Sequence, residues 1–246
     1  MRHALPLALV CAVLLATPSS ADDTMAAARL AYEQRADAAQ AKSAWELFGK
    51  SAGADPQSYE ARWEAARACY YLGTYPLASA SDDEKMKLFQ EGIDLAKAAV
   101  TLRPTGVEGH FWLGVLYGVY GEAKGILKSL ALVPDIKKEM QACLEIDPAV
   151  EGHGPDRVLG RMFFRLPFFK GGDNEKSIEH LERSLAGSPT NALTRLYLAE
   201  TYKAEGMKPK AIAQLEEIVR MTPDPLWAAE HPTIRADAEK LLKKLK

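Results

Sequence analysis

The sequence predicts an all-α fold: an α-solenoid of antiparallel helix pairs, with long loops inside the pairs and a C-terminal capping helix. Three observations predict it. Prolines 56, 104, 148, 189 and 223 each follow an apolar, helix-like run, such as Ala98-Ala99-Val100-Thr101-Leu102-Arg103. Counting back twelve, eight and five places from each proline reaches small or apolar residues, spaced i, i+4, i+7 as a packed helix face requires. These triads are Ala44, Phe48 and Ser51; Gly92, Ala96 and Ala99; Ile136, Met140 and Cys143; Ser177, Leu181 and Ser184; and Ala211, Leu215 and Ile218. Upstream of the triads a second signature recurs: Leu113-Gly114 with Tyr117, Leu159-Gly160 with Phe163, and Leu198-Ala199 with Tyr202, with Trp63, Ala66 and Tyr70 as a weaker form. The small residue lets two helices approach, and the aromatic fills the space between pairs.

Taken in order, residues 1–21 read as a cleavable signal peptide. Met1-Arg2-His3 is a basic start, Ala4 to Ala16 is apolar, and Ser19 and Ala21 supply the small residues before cleavage at Asp22. The apolar run is short of the roughly 20 residues that span a membrane, and no later segment comes closer, so no transmembrane helix is expected. Residues 22–246 read as one helical domain with units at about 24–56, 59–104, 107–148, 153–189 and 192–225. Met25 to Gly53 is Ala-rich and supplies an N-terminal helix and an unpaired second helix. Residues 232–246 form the capping helix: Pro232 suits a first turn, Ile234, Ala238, Leu241, Leu242 and Leu245 form one stripe, and Lys243, Lys244 and Lys246 suit the negative C-terminal end.

From Ala41 to Pro225 these features resemble tetratricopeptide repeats. The intervals between the prolines are 48, 44, 41 and 34, and the last equals the period of that repeat. The longer units carry inserts between their two helices, and such inserts on one edge of a stack mark a binding face. The first, Gly73 to Lys85, is a solvated Ser/Asp-rich loop. The second, Gly118 to Pro134, is loosened by glycine yet apolar through Ile126, Leu127, Leu130 and Leu132, with Tyr117, Tyr120 and Lys124 beside it as candidate contact residues. The third is Arg165-Leu-Pro-Phe-Phe-Lys-Gly-Gly-Asp173. Phe168 and Phe169 either cover the core or form a pocket wall or contact surface. In the latter case Arg161, Arg165 and Lys170 are the candidates for an anionic group, with Gly171 and Gly172 shaping the turn.

Chemistry-bearing motifs are lacking. There is no Gly-x-Ser-x-Gly elbow and no phosphate loop, and the four histidines after the signal peptide form no zinc pair. The reading is non-catalytic and cofactor-free, with no metal site. The mature balance of 30 basic to 33 acidic residues gives no broad attraction to nucleic acid or anionic lipid. Cys69 and Cys143 read as two buried thiols, with one disulfide as the alternative.

The stretch from His110 to Lys176 is more specific. Phe111-Trp112-Leu113-Gly114, the Gly-rich insert, Val133-Pro134-Asp135-Ile136, Leu159-Gly160-Arg161 and Leu166-Pro167 with Gly171-Gly172-Asp173 resemble the periplasmic T component associated with TRAP-type transporters. They are also similar to the helical regulators of microtubule dynamics, which carry a comparable Leu-Gly-Arg segment. The signal peptide favours the first. That resemblance implies a periplasmic binding component that contacts a solute-binding protein, or a small apolar or carboxylate ligand in a hydrophobic channel or cleft. Its members are commonly lipid-anchored, whereas this chain lacks an anchoring cysteine, which points to a soluble periplasmic role. The alternative is a general scaffold of the cell envelope that holds a protein partner. A homo-oligomer is compatible with either.

Overall fold

The structure, a computed structural model, describes residues 20–246. The leader reading of residues 1–21 falls almost wholly outside them. Among the described residues there are eleven α-helices and no strand. Helices α1 (Ser20–Glu33) and α2 (Ala38–Ala54), α3 (Tyr59–Thr74) and α4 (Asp82–Leu102), α5 (Val107–Lys124) and α6 (Val133–Ile146), α7 (Val150–Arg165) and α8 (Asn174–Gly187), and α9 (Ala192–Ala204) and α10 (Lys208–Arg220) pack as successive pairs. Helix α11 (His231–Leu245) closes the stack on α10 and α9.

The triads counted back from the prolines lie on the second helix of each pair, and all fifteen side-chain positions are buried. The small residues of the first helices act as the close-approach points. A Cβ at Gly160 would lie 2.6 Å from Leu181 Cγ and 3.0 Å from the Ser177 carbonyl, and one at Gly114 would collide with the Met140 methyl. A side chain at Gly160 would press on the α8 backbone and push the two helices apart, whereas one at Gly114 would first displace the flexible Met140 end. Helix α2 is not unpaired: α1 packs along it, burying Ala28 and Tyr32 against Phe48. Asp37 makes the turn possible by accepting from the amides of Ala39 (2.8 Å) and Gln40 (3.0 Å) at the start of α2.

The inserts are smaller than the sequence implies, because helix covers part of each. Asp82 to Lys85 already belong to α4, whose start is fixed by a capping box between Ser81 and Glu84. Gly118 and Gly121 lie inside α5, which runs to Lys124 before Gly125 turns at φ +94°. A 3-10 segment, Ile126–Leu132, follows, pinned by the buried Ser129 hydroxyl, whose one proton is shared among the carbonyls of Gly121, Gly125 and Ile126, 3.0 to 3.1 Å away. Cys69 and Cys143 are both buried free thiols, held against separate main-chain carbonyls at Leu88 and Val107.

The superhelix also closes on itself. Arg35, in the α1–α2 turn, donates Nε–H to Glu230 Oε1 (3.0 Å), and Nη2–H to Glu230 Oε2 (3.1 Å) and the Leu226 carbonyl (2.7 Å). Its guanidinium lies 4.6 Å over the Tyr32 ring. Ala229 packs on the N-terminal core from the other side of this junction. The first and last units of the stack therefore meet, 195 residues apart in sequence.

Candidate functional site

Closure of the stack surrounds an open cavity of about 850 Å³. First helices supply much of its wall: α1, α3, α5, α7 and α9 turn one face inward, and the 3-10 segment Pro225–Trp227 completes the ring. Its middle is apolar, through Phe111, Val115, Ile136 and Met162. Charged groups stand on either side. Toward the N-terminal hairpin, Arg29 lies 2.5 Å from Glu60, and Arg67 pairs with Glu64. Toward the rim of the α5 and α7 ends, Arg165 Nε lies 2.9 Å from Glu122 Oε1, and Arg161 pairs with Glu200.

Arg157 stands apart from these ion pairs. Its side chain is buried, and among the described residues no carboxylate lies within ion-pairing distance of it. It donates instead to the main-chain carbonyls of Glu151 (Nη2, 3.1 Å) and Gly152 (Nη1, 3.2 Å). Those carbonyls belong to a turn in which Glu151, Gly152 and His153 are all left-handed, at φ 50°, 62° and 54°. Left-handed backbone is costly for Glu and His, which carry a Cβ, and such strain persists only where surrounding structure enforces it. Gly152 faces the Trp227 ring and the Ser188 hydroxyl, where a Cβ would clash. Burial pushes the Arg157 guanidinium below its ordinary range and pushes the Glu151 carboxyl upward, toward its neutral form.

Tyr70, Tyr75 and Tyr197 share this region of the wall. Burial raises all three phenols, so they face the cavity as neutral hydroxyls. The Trp112 ring lies tilted against Tyr70 with centroids 5.5 Å apart, and its indole Nε1–H is buried with no hydrogen-bond partner among the described residues. The cavity thus offers neutral donors, one guanidinium without a carboxylate, and aromatic faces. Other charges of the wall form ion pairs, Arg35 with Glu230, Arg67 with Glu64, and Arg165 with Glu122, whereas Glu33, Glu151 and Asp224 line it without one, an arrangement suited to holding a molecule.

The residues singled out in the sequence separate into two groups. Arg161, Arg165 and Tyr117 line the cavity, with the Arg161 guanidinium 4.2 Å over the Tyr197 ring. Burial raises the Tyr117 phenol to about 12. Tyr120 packs partly buried against the central core, with the exposed Lys124 amine 5.6 Å from its ring. Phe168, Phe169 and Lys170 form a short 3-10 turn on the outside, with Phe168 90% and Phe169 74% exposed. They do not cover the core. Gly171 takes φ +89°, and a Cβ at Gly172 would collide with the Leu166 carbonyl, so these glycines hold the two rings outward. Glu122 near the end of α5 pairs with Arg165 at the end of α7, so the two links start from neighbouring helix ends.

Sequence reading missed Tyr32, Arg67, Tyr70, Tyr75, Glu151 and Arg157. One signal was present: Arg157, Arg161 and Arg165 recur every four residues, which places all three on one face of α7. Tyr70 was visible only as the aromatic of the weaker repeat signature, and nothing local marked the others.

Among the described residues no helix is long and apolar enough to cross a membrane. A profile of regulator of microtubule dynamics protein 1-3 matches residues 25–151, and a tetratricopeptide-repeat profile matches residues 168–229. Regulator of microtubule dynamics protein 1 of Bos taurus is 27% identical over 94 residues, 38% of this chain and 29% of that protein. The chain therefore spans less than a third of that relative's length. Among solved structures, TTC0263, a thermophilic tetratricopeptide-repeat protein of Thermus thermophilus, superposes with a TM-score of 0.65 at 18% identity, over 90% of this chain and 100% of the other. MamA superposes with a TM-score of 0.50 at 14% identity, over 93% and 99% of the two chains. At these identities the likeness concerns the fold.

Proposed function

The chain belongs to the regulator of microtubule dynamics protein 1-3 family, and from that premise we propose that it is a non-catalytic interaction scaffold that holds a polypeptide partner on the inner face of its closed ring. The cavity carries this reading. Its inner wall alternates aromatic rings, neutral hydroxyls and paired charges over several first helices, a surface that matches the mixed polar and apolar character of a protein segment. The bovine relative's name refers to microtubule dynamics. What this chain shares with it is 27% identity over 94 residues, so only the interaction scaffold is proposed for this chain.

Two narrower readings stand inside this one. The leader-like residues 1–21 support a periplasmic location, which N-terminal sequencing of protein from a periplasmic fraction tests: a mature chain starting at Asp22 agrees with it. The pattern of residues 110–176 supports a place beside a TRAP-type solute-binding protein. The alternating polar wall favours the general scaffold over a dedicated ligand carrier. Photo-crosslinking decides between them. Benzoylphenylalanine placed at Val119, on the cavity wall, should capture a polypeptide, whereas the same group at Glu179, on the exposed face of α8, should not. A solute-binding protein as the captured species supports the TRAP role. Capture from Glu179 alone, or from neither position, refutes the inner-face scaffold.

A further inference from the structure

Three features of the cavity converge on one place. Arg157 is buried with no carboxylate partner among the described residues, and it spends two donors on the carbonyls of a strained turn. Its other N–H groups are uncommitted. The Trp112 indole N–H, in a residue 6% exposed, also has no acceptor among the described residues. Phe111 and Tyr70 link the two: Phe111 packs on Trp112 with centroids 5.0 Å apart and abuts Gly154, beside the Arg157 guanidinium. Leaving a buried donor unpaired costs about 1–3 kcal/mol, and more for a charged group. The Trp112 N–H is such a donor, sealed in the wall; Arg157 instead keeps free N–H groups at the cavity without a carboxylate, which points to an acceptor that arrives with a ligand.

We infer that Arg157 receives an aspartate or glutamate side chain of a polypeptide segment lying in the cavity. This rests on the scaffold reading above and names the chemistry of its partner. A guanidinium in a low-dielectric site selects a carboxylate strongly, because the charge-assisted bond is about twice as strong as a neutral one. Glu151 is the nearest acidic competitor in charge, and burial pushes it toward its neutral form. The surrounding phenols stay neutral and add donors rather than opposing charge. A hydrocarbon-tailed acid suits the site less well. Ion pairs interrupt the wall on both sides of the apolar middle, at Arg67 with Glu64 and at Arg165 with Glu122. A peptide backbone can meet such groups at every residue, whereas an acyl chain would desolvate them without return.

The test uses the whole chain against a random heptapeptide library, with selected peptides sequenced and their affinities measured. The expected result is enrichment of one acidic residue at a fixed position flanked by apolar residues. Arg157→Gln should lower the affinity of those peptides at least 10-fold and abolish the acidic preference. Because Arg157 also holds the left-handed turn, Arg157→Gln is repeated in a Glu151→Gly, His153→Gly background, where glycine adopts that conformation unaided. Retained melting temperature there with lost acidic selection separates the ligand role from the structural one. Peptides enriched without an acidic preference, or an acidic preference unchanged by Arg157→Gln, overturn the proposal and leave the scaffold reading standing. No enriched peptide, with palmitate binding instead, overturns both.

Discussion

Removing the junction between Arg35 and Glu230 should open the ring without unfolding the stack. Their side chains are 10% and 11% exposed, and they join segments that otherwise meet only narrowly. Truncating one member of a buried ion pair costs about 3–5 kcal/mol, because the other charge stays buried and unpaired. The lower end applies, since each side chain keeps some contact with water. Arg35→Ala also loses the bond to the Leu226 carbonyl and the stack over Tyr32, so it should exceed Glu230→Ala. In a solenoid each unit leans mainly on its neighbours, so the loss falls on the junction. A loss of about 3 kcal/mol there lowers amide protection about 100-fold, in residues 224–230 and in the α1–α2 turn. Hydrogen exchange on the two single mutants and Arg35→Ala/Glu230→Ala reads this directly. A double-mutant cycle should return a coupling of about 1–2 kcal/mol, little changed by salt because the pair is buried. A coupling below about 0.5 kcal/mol, with protection of 224–230 unchanged, would refute a closed ring.

Asp156 gives a pH signature. Burial pushes its carboxyl up, but hydrogen bonding from His180 at 2.7 Å and Arg183 at 2.9 Å outweighs this and holds it below the ordinary 3.8. Its contribution is therefore present above pH 3.8 and lost as pH falls through the lower folded value. Asp156→Asn should cost about 1–3 kcal/mol at pH 7, and the gap to the parent should narrow in denaturation curves below pH 3.8; a constant gap would contradict this. Gly160→Val should cost at least about 1–3 kcal/mol by thermal melting, because α7 and α8 cannot separate cheaply. Phe168→Ala and Phe169→Ala should each shift stability by no more than about 0.5 kcal/mol, as exposed residues do; a larger loss would return these rings to the core.

The sequence exposed whatever repeats locally. A buried triad on a second helix must recur at i, i+4, i+7 whichever unit it belongs to, and the proline that ends each helix marks the register. That is why Ala44, Phe48 and Ser51 could be placed beside Ala211, Leu215 and Ile218 with no other information. Link lengths were legible only in part, because glycines such as Gly118 and Gly121 read as loop although tertiary packing keeps them in α5. Phe168 and Phe169 show the converse limit: composition argues for burial, and a tight glycine turn overrules it.

The cavity was illegible for a different reason. Its walls come from first helices of several units, and which residues meet depends on superhelical rotation summed over the whole stack. A small change in crossing angle at each of four interfaces would carry Glu230 far from Arg35, leaving an open arc. No window of sequence encodes that sum, so the acids and arginines of the junction look like ordinary surface charges until the ring is closed. The strained turn at Glu151–His153 has the same character. Its cost is local, but Arg157 from the next turn of α7 and Trp227 from the far end of the chain hold it. Opening the ring should therefore loosen that turn as well, because Trp227 lies only three residues before Glu230. Closure at the rim and preorganisation of Arg157 within are then one property of the fold, and a partner that enters by parting the ends would meet a binding group that sharpens as they close again.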